Sequence, residues 1–210
     1  MRKMLVLDCD GVLYPLSDIP HSEFLGALYA ALESLGISRE NFKEAMAQSR
    51  AESAHGIFNF ALRVCRNTGA SFDEFCRRFV DSINYSNIKP NPRLFELLKQ
   101  VSKKYDMVIF TNNHILHLNK ILNLVFSCNA DTVGFKCFDI TSTYRDGVFH
   151  PKKSEQGLLM IAERLGLTPA ECILVDDDAT NCNRAREIGM EAVQPGENLS
   201  LEQYLCGLLA

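Results

Sequence analysis

Two aspartates, Asp8 and Asp10, stand two residues apart where the apolar run Lys3 to Leu7 stops, in the stretch Asp8-Cys9-Asp10-Gly11-Val12-Leu13-Tyr14. Side chains two apart on an extended segment point the same way, so both carboxylates can converge on one ion or substrate while Cys9 points elsewhere. Gly11 lets the chain turn sharply there and joins the candidates for phosphate contact. Two carboxylates at the end of a buried strand are costly unless they are paired or metal-bound. Magnesium takes hard oxygen ligands, so Asp8, Asp10 and Asp177, with Asp176 beside them, make a sensible partial shell. Asp8 can then serve as a carboxylate nucleophile. Asp10 can protonate the leaving oxygen and later deprotonate the water that breaks the acyl-phosphate. A phosphoryl group also needs donors around its peripheral oxygens, which Thr111 and Asn112 supply at a helix start, already a place suited to anions. Lys152 can complete the cradle as a point charge, with Lys153 its rival.

Each feature also has a plainer reading. Asp176, Asp177 and Asp178 could only cap and charge a helix start, Thr111 could be an N-cap without a ligand, and Lys152 could be a solvated loop charge. The pair Asp8 and Asp10 is hardest to explain that way.

The elements that must position these residues alternate. Apolar runs at Lys3 to Leu7, Met107 to Phe110 and Cys172 to Val175 read as strands buried on both faces, each ending at a polar cluster. Helices are expected over Arg93 to Lys103, His114 to Phe126 and Ser154 to Leu165. A further helix runs to Ile188, and the last begins near Leu199. Thr132 to Ile140 reads as extended and Glu191 to Val193 as a short strand. Alternation of this kind predicts an α/β, Rossmann-like parallel sheet covered on both faces, with ligands outside the carboxyl ends of its strands. Between the first strand and Pro90 the pattern is helical: Ser22 to Leu35, a helix opened by Ser38 or Asn41, another over Ala54 to Asn67, and a fourth begun by the capping pattern Ser71-Phe72-Asp73-Glu74.

The 210 residues suit one core with an insertion, and the net charge of -4 gives no basic field for a nucleic-acid polymer. No signal-like or membrane-length apolar run is evident, so a cytoplasmic chain with no membrane partner is expected. The eight cysteines contain no CxxC pair and read as free, mostly buried thiols, Cys9 included.

Taken in order, these residues resemble the four motifs of the haloacid dehalogenase superfamily of aspartate-nucleophile phosphatases. Asp8-Cys9-Asp10-Gly11-Val12 resembles the first, Thr111-Asn112 the second, Lys152 the third, and Asp176-Asp177 with Asn181 the fourth. The resemblance favours Lys152 over Lys153, by its distance before Leu165-Gly166. It implies magnesium, a phosphoaspartyl intermediate on Asp8 and acid/base work by Asp10. It also implies a catalytic core over residues 1–15 and 88–210, with a small helical C1 cap over 16–87. An acid at Asp10 marks phosphotransfer rather than carbon-halogen cleavage.

Within the superfamily the chain is most similar to pyrimidine 5'-nucleotidases, through Asp10 to Pro15, Ile88 to Pro92, Phe110 to Asn113 with His117, and Val175 to Asp178 with Asn181. It departs from that branch at Asn113, Lys153 and Asp178. Substrate selection would fall to the cap, where spacing puts Glu52, His55, Gly56 and Asn59 on one helical face beside Ser53. His117 is read as decorating its helix. The leading expectation is a magnesium-dependent phosphomonoesterase acting on a small phosphate ester such as a nucleoside 5'-monophosphate, as monomer or homodimer. Its rivals are a sugar phosphomutase, another phosphatase with a phosphoglycolate-like substrate, and a catalytically silent phosphometabolite-binding protein.

Overall fold

The computed structural model describes residues 3–38, 40, 42, 56–196 and 199–210. Its centre is β1 (Met4–Leu7), flanked by β2 (Asp106–Phe110), with β3 (Lys136–Phe138) outside it. Two further short strands, β4 (Tyr144–Arg145) and β5 (Val148–Phe149), form a separate hairpin. On the other side of β1 lie β6 (Cys172–Val175) and β7 (Glu191–Val193), giving the parallel order β3-β2-β1-β6-β7. Leu7 sits opposite Ile109 on one flank and Val175 on the other. The three central strands therefore run out together, and the polar clusters that follow them emerge along one edge of the sheet.

Both faces are covered, as near-continuous apolar strands require. Leu5, Leu7 and Ile109 pack with α4 (Pro92–Val101), α5 (Ile115–Phe126) and α8 (Leu201–Leu209). Val6, Val108 and Leu174 pack with Leu158 and Ile161 of α6 (Glu155–Leu165) and Ala185 of α7 (Ala179–Glu187). The helix starts carry the caps their sequences encode: Asn91 accepts from Leu94 N–H ahead of Pro92, and Ser154 accepts from Gly157 N–H.

Three described helices are interposed between β1 and α4: α1 (His21–Ser34), α2 (Ile57–Thr68) and α3 (Phe72–Ser82). Ser71 caps α3 by accepting from Glu74 N–H, and Gly69, at φ +72°, ends α2. Ala27, Leu28, Ala31 and Leu32 of α1 bury against the Phe75, Phe79 and Val80 side of α3. The helix expected from Ser38 or Asn41, and Glu52, Ser53 and His55, fall wholly or mainly outside the described residues.

Two expectations change. Of the stretch Thr132 to Ile140, only Lys136–Phe138 pairs as strand. Asn129 draws the amides of Asp131 and Thr132 into a turn, and Asp139 caps a single 3-10 turn over Ile140–Thr143. The β4-β5 hairpin was not expected. It closes through Asp146-Gly147, both at positive φ, the two-residue connection whose twist suits paired strands. No helix among the described residues is long and apolar enough to cross a membrane.

Candidate active site

Asp8 leaves β1 still in sheet register, its amide donating to Val175 O, and its carboxylate is buried. Thr111 leaves β2 in the same manner, donating to Phe138 O, and Asp176 leaves β6 donating to Val193 O. Strand geometry alone thus delivers one residue from each cluster to a common edge.

Lys152 arrives from the opposite direction, on the loop between β5 and α6. Its side chain is fully buried, with Nζ 2.6 Å from Asp8 Oδ1 and 2.7 Å from Asp176 Oδ2. Two features hold it there. Asn112 Oδ1 accepts from Lys152 N–H, and Gly157 lets the loop cross close above α6, since a Cβ there would strike the carbonyls of His150 and Pro151. Lys153 instead borders the cavity beside the site, so of the two lysines Lys152 reaches Asp8. Burial alone would lower the Lys152 pKa, but the Asp176 and Asp8 carboxylates outweigh it and raise it, so the ammonium persists.

Asp8, Asp176 and Asp177 each offer an oxygen within 4.8 Å of the others. Three ionised carboxylates against one lysine leave an excess negative charge, and the acids feel it. Burial, then the neighbouring charges of Asp176 and Asp10, push Asp8 up against the pull of Lys152. Burial and the charge of Asp176 push Asp177 up to about 6. Asp176 is held low despite burial, by Lys152, by a 2.9 Å bond from Asn181 Nδ2, and by the amide of Asp178. Gly11, at φ +73°, packs so tightly on Asp177 that any Cβ would collide with its carboxylate. A hard divalent cation fits this donor set: all-oxygen, tightly gathered and under-neutralised.

Asp10 is held apart from that trio. Its Oδ1 accepts from Tyr14 OH at 2.5 Å and from His117 Nε2 at 2.8 Å. Its Oδ2 accepts from Asn113 Nδ2 at 2.7 Å and, more weakly, from Thr111 Oγ1 at 3.4 Å. Burial would raise this carboxyl, but His117, with the Tyr14 and Asn113 hydrogen bonds, holds it well below the usual range. His117 does not decorate a helix surface. It is fully buried and bonds the second aspartate. Tyr14 and Asn113 also carry site contacts that the sequence reading had not assigned. No helical spacing links them, since Asn113 lies in the loop before α5 and His117 in its first turn.

The plainer readings hold in part. Asp178 does cap α7, accepting from Thr180 N–H, and Thr111 Oγ1 does accept from Asn113 N–H. Cys9 is buried with its pKa raised far up by burial and by Asp10 and Asp8, so it offers no thiolate. Asn59 is committed elsewhere: its amide bonds both backbone groups of Phe149, at 2.7 Å each. Gly56 caps α2 and borders the cavity; Glu52 and His55 lie outside the described residues.

That cavity, about 400 Å³, opens beside Asp10, Asn112 and Asn113. Its walls are largely apolar, including Phe24, Phe58, Phe79 and Phe149 from the inserted helices and the hairpin.

Three solved structures share this arrangement of elements. A predicted HAD-like family hydrolase from Porphyromonas gingivalis aligns over 100% of this chain and 98% of its own at TM-score 0.60 and 16% identity. The HAD family enzyme BT-2542 from Bacteroides thetaiotaomicron, in complex with magnesium and inorganic phosphate, aligns over 93% of this chain and 95% of its own at TM-score 0.54 and 17% identity. CbbY from Rhodobacter sphaeroides, in complex with phosphate, aligns over 95% of this chain and 88% of its own at TM-score 0.56 and 14% identity. At these identities the likeness is one of fold. The sequence match is to the haloacid dehalogenase-like hydrolase family and runs over residues 3–189; with the parallel sheet and the three polar clusters along its edge, it establishes that the chain belongs to that family.

Proposed function

We propose that this hydrolase is a magnesium-dependent phosphomonoesterase working through a phosphoaspartyl intermediate on Asp8. The observation that carries the reading is the pairing of Asp8 with Lys152 at 2.6 Å inside the cluster of Asp8, Asp176 and Asp177. Lys152 aligns a buried carboxylate and leaves its second oxygen to attack. The magnesium and phosphate in the BT-2542 structure agree with that chemistry.

In the first step an Asp8 oxygen bonds to phosphorus and the ester P–O bond breaks. Asp10 gives its proton to the departing oxygen. Asp10 is ionised in the free chain and must first take up that proton: the arriving phosphate dianion adds negative charge beside it and raises its pKa, and the proton comes from solvent. In the second step Asp10 removes a proton from water, the water oxygen bonds to phosphorus, and the acyl-phosphate opens to release phosphate and restore the Asp8 carboxylate. Lys152, Thr111 and Asn112 are the donors for the phosphoryl oxygens, with Gly11 keeping the loop close. Asp8 and Asp177, with Asp176 behind them, would hold magnesium, which supplies neutralising charge to the carboxylates and the ester oxygens.

The alcohol released is a nucleoside, with a pyrimidine 5'-monophosphate the first candidate. The phenylalanine rings in the cavity wall suit stacking against a flat base, a contact a polyol cannot make. The inserted helices act as the cap that excludes water.

Phosphate release from nucleoside monophosphates and sugar phosphates, with magnesium or chelator, tests both levels. Asp8→Asn should lose at least about a thousandfold in kcat, because its neutral amide cannot form the intermediate. Wild-type rates in that variant would end the mechanism. A peak on sugar phosphates would end only the nucleotide assignment.

A further inference from the structure

We propose that His117, backed by Tyr85, is the positioning residue for Asp10; the inference rests on the phosphomonoesterase reading. Asp10 has several donors, but they differ in what anchors them. Tyr14 belongs to the same loop as Asp10, and Asn113 to the loop after β2. His117 alone among them stands on a regular element, in the first turn of α5, and it is fully buried.

Its ring has little freedom to move. Phe24 of α1 lies against it at 5.6 Å between centroids, and Tyr85 at the same distance. Tyr85 also bonds Nδ1 through its hydroxyl at 2.9 Å. An ionised carboxylate only accepts, so Nε2 must carry a hydrogen toward Asp10. In the neutral ring, the Tyr85 hydroxyl donates to Nδ1 and keeps that hydrogen on Nε2. The chain Tyr85, His117, Asp10 thus fixes where one carboxylate oxygen lies, by the same logic that lets an outer partner orient a ligating imidazole.

Position matters most in the step where Asp10 must meet the departing oxygen, since small displacements of an acid/base group cost rate without costing binding. Phe24 and Tyr85 belong respectively to an inserted helix and to the segment returning from the insertion to α4. The insertion therefore contributes directly to holding the catalytic carboxylate.

The test compares an alkyl phosphate, whose alkoxide must be protonated to leave, with p-nitrophenyl phosphate, whose phenolate leaves unaided. His117→Phe keeps a ring between Phe24 and Tyr85 but removes the N–H. It should lower kcat/KM, which reports transfer to Asp8 and not the hydrolysis step both esters share, at least about tenfold more on the alkyl ester than on p-nitrophenyl phosphate. Tyr85→Phe keeps the packing, loses only the hydroxyl, and should show the same bias more weakly. Should His117→Phe fail to fold, the Tyr85→Phe ratio decides. Equal losses on both esters, or none, would overturn the positioning role. If Asp10→Asn shows the bias while the His117 and Tyr85 variants do not, only this inference falls. If the wild type releases phosphate from neither ester nor from the nucleotide panel, the phosphomonoesterase reading falls and takes this one with it.

Discussion

Asp177 differs from its neighbours in making no ion pair with a lysine among the described residues: Lys152 pairs with Asp8 and Asp176 instead. Burial and the charge of Asp176 raise its pKa to about 6, so in the metal-free chain it takes up a proton well above the usual carboxylate range. A cation binds the ionised form and must displace that proton. Magnesium affinity should therefore rise with pH through about 6, and Asp8, also pushed up, adds to the rise. Calorimetric titration at pH 5 and pH 7.5 measures this. Near pH 5 the apparent affinity should be roughly tenfold weaker, one pH unit below the raised pKa. In Asp177→Asn binding should be weak at both values. Affinity flat across that range would remove Asp177 from the metal set. Asp8, Thr111, Lys152 and Asp176 were legible in the sequence because three of them terminate apolar runs and the lysine keeps a motif distance. The partners of Asp10 were not. Tyr14, Asn113 and His117 meet it only because the loop after β1 folds back and α5 turns one face inward, and no linear spacing records either rotation.

At the scale of elements, the loop carrying Lys152 depends on a residue outside every motif. Gly157 sits in the first turn of α6, and an added methyl would meet the backbone carbonyls of His150 and Pro151 rather than a yielding side chain. Gly157→Ala should cost about 1–3 kcal/mol of stability, as overpacking against unyielding backbone does. It should also lower kcat, because the displaced loop takes Lys152 from Asp8. Thermal unfolding and steady-state kinetics on one preparation read both effects; a stable variant of full activity would show that the loop accommodates the methyl. A glycine early in a helical pattern reads from sequence only as a weak helix former, so this role was not legible. The β4-β5 hairpin was missed for another reason. Asp146-Gly147 is a strong turn signal, but the strands beside it are two residues each, too short to register as alternating pattern.

Across the whole molecule the sheet was read correctly because buried parallel strands are plain apolar runs, whereas the way the inserted helices sit on it was not, because it rests on side chains meeting across long separations. On one side of the cavity Phe24 and Phe79 lie together next to His117 of α5. On the other, Asn59 of α2 takes both backbone groups of Phe149, while Arg66 donates to Gly147 O at 3.1 Å and to Tyr144 OH at 2.6 Å. The hairpin is thus a clasp for the insertion, and Asn59, a residue expected to select substrate, is part of it. The two Asn59 bonds, at roughly 1 kcal/mol each, would bias the closed arrangement by about 2 kcal/mol, or some thirtyfold in population. Asn59→Ala removes both bonds and weakens that bias without altering Asp8, Asp10 or Lys152. If closure shields the bound ester, KM for the preferred substrate should rise by up to about thirtyfold while kcat at saturation changes far less. Backbone amides of α2 and the hairpin should exchange faster in deuterium oxide, those of β1 and β6 unchanged. Unaltered KM with faster exchange would mean that the clasp holds the fold together without governing access to Asp8.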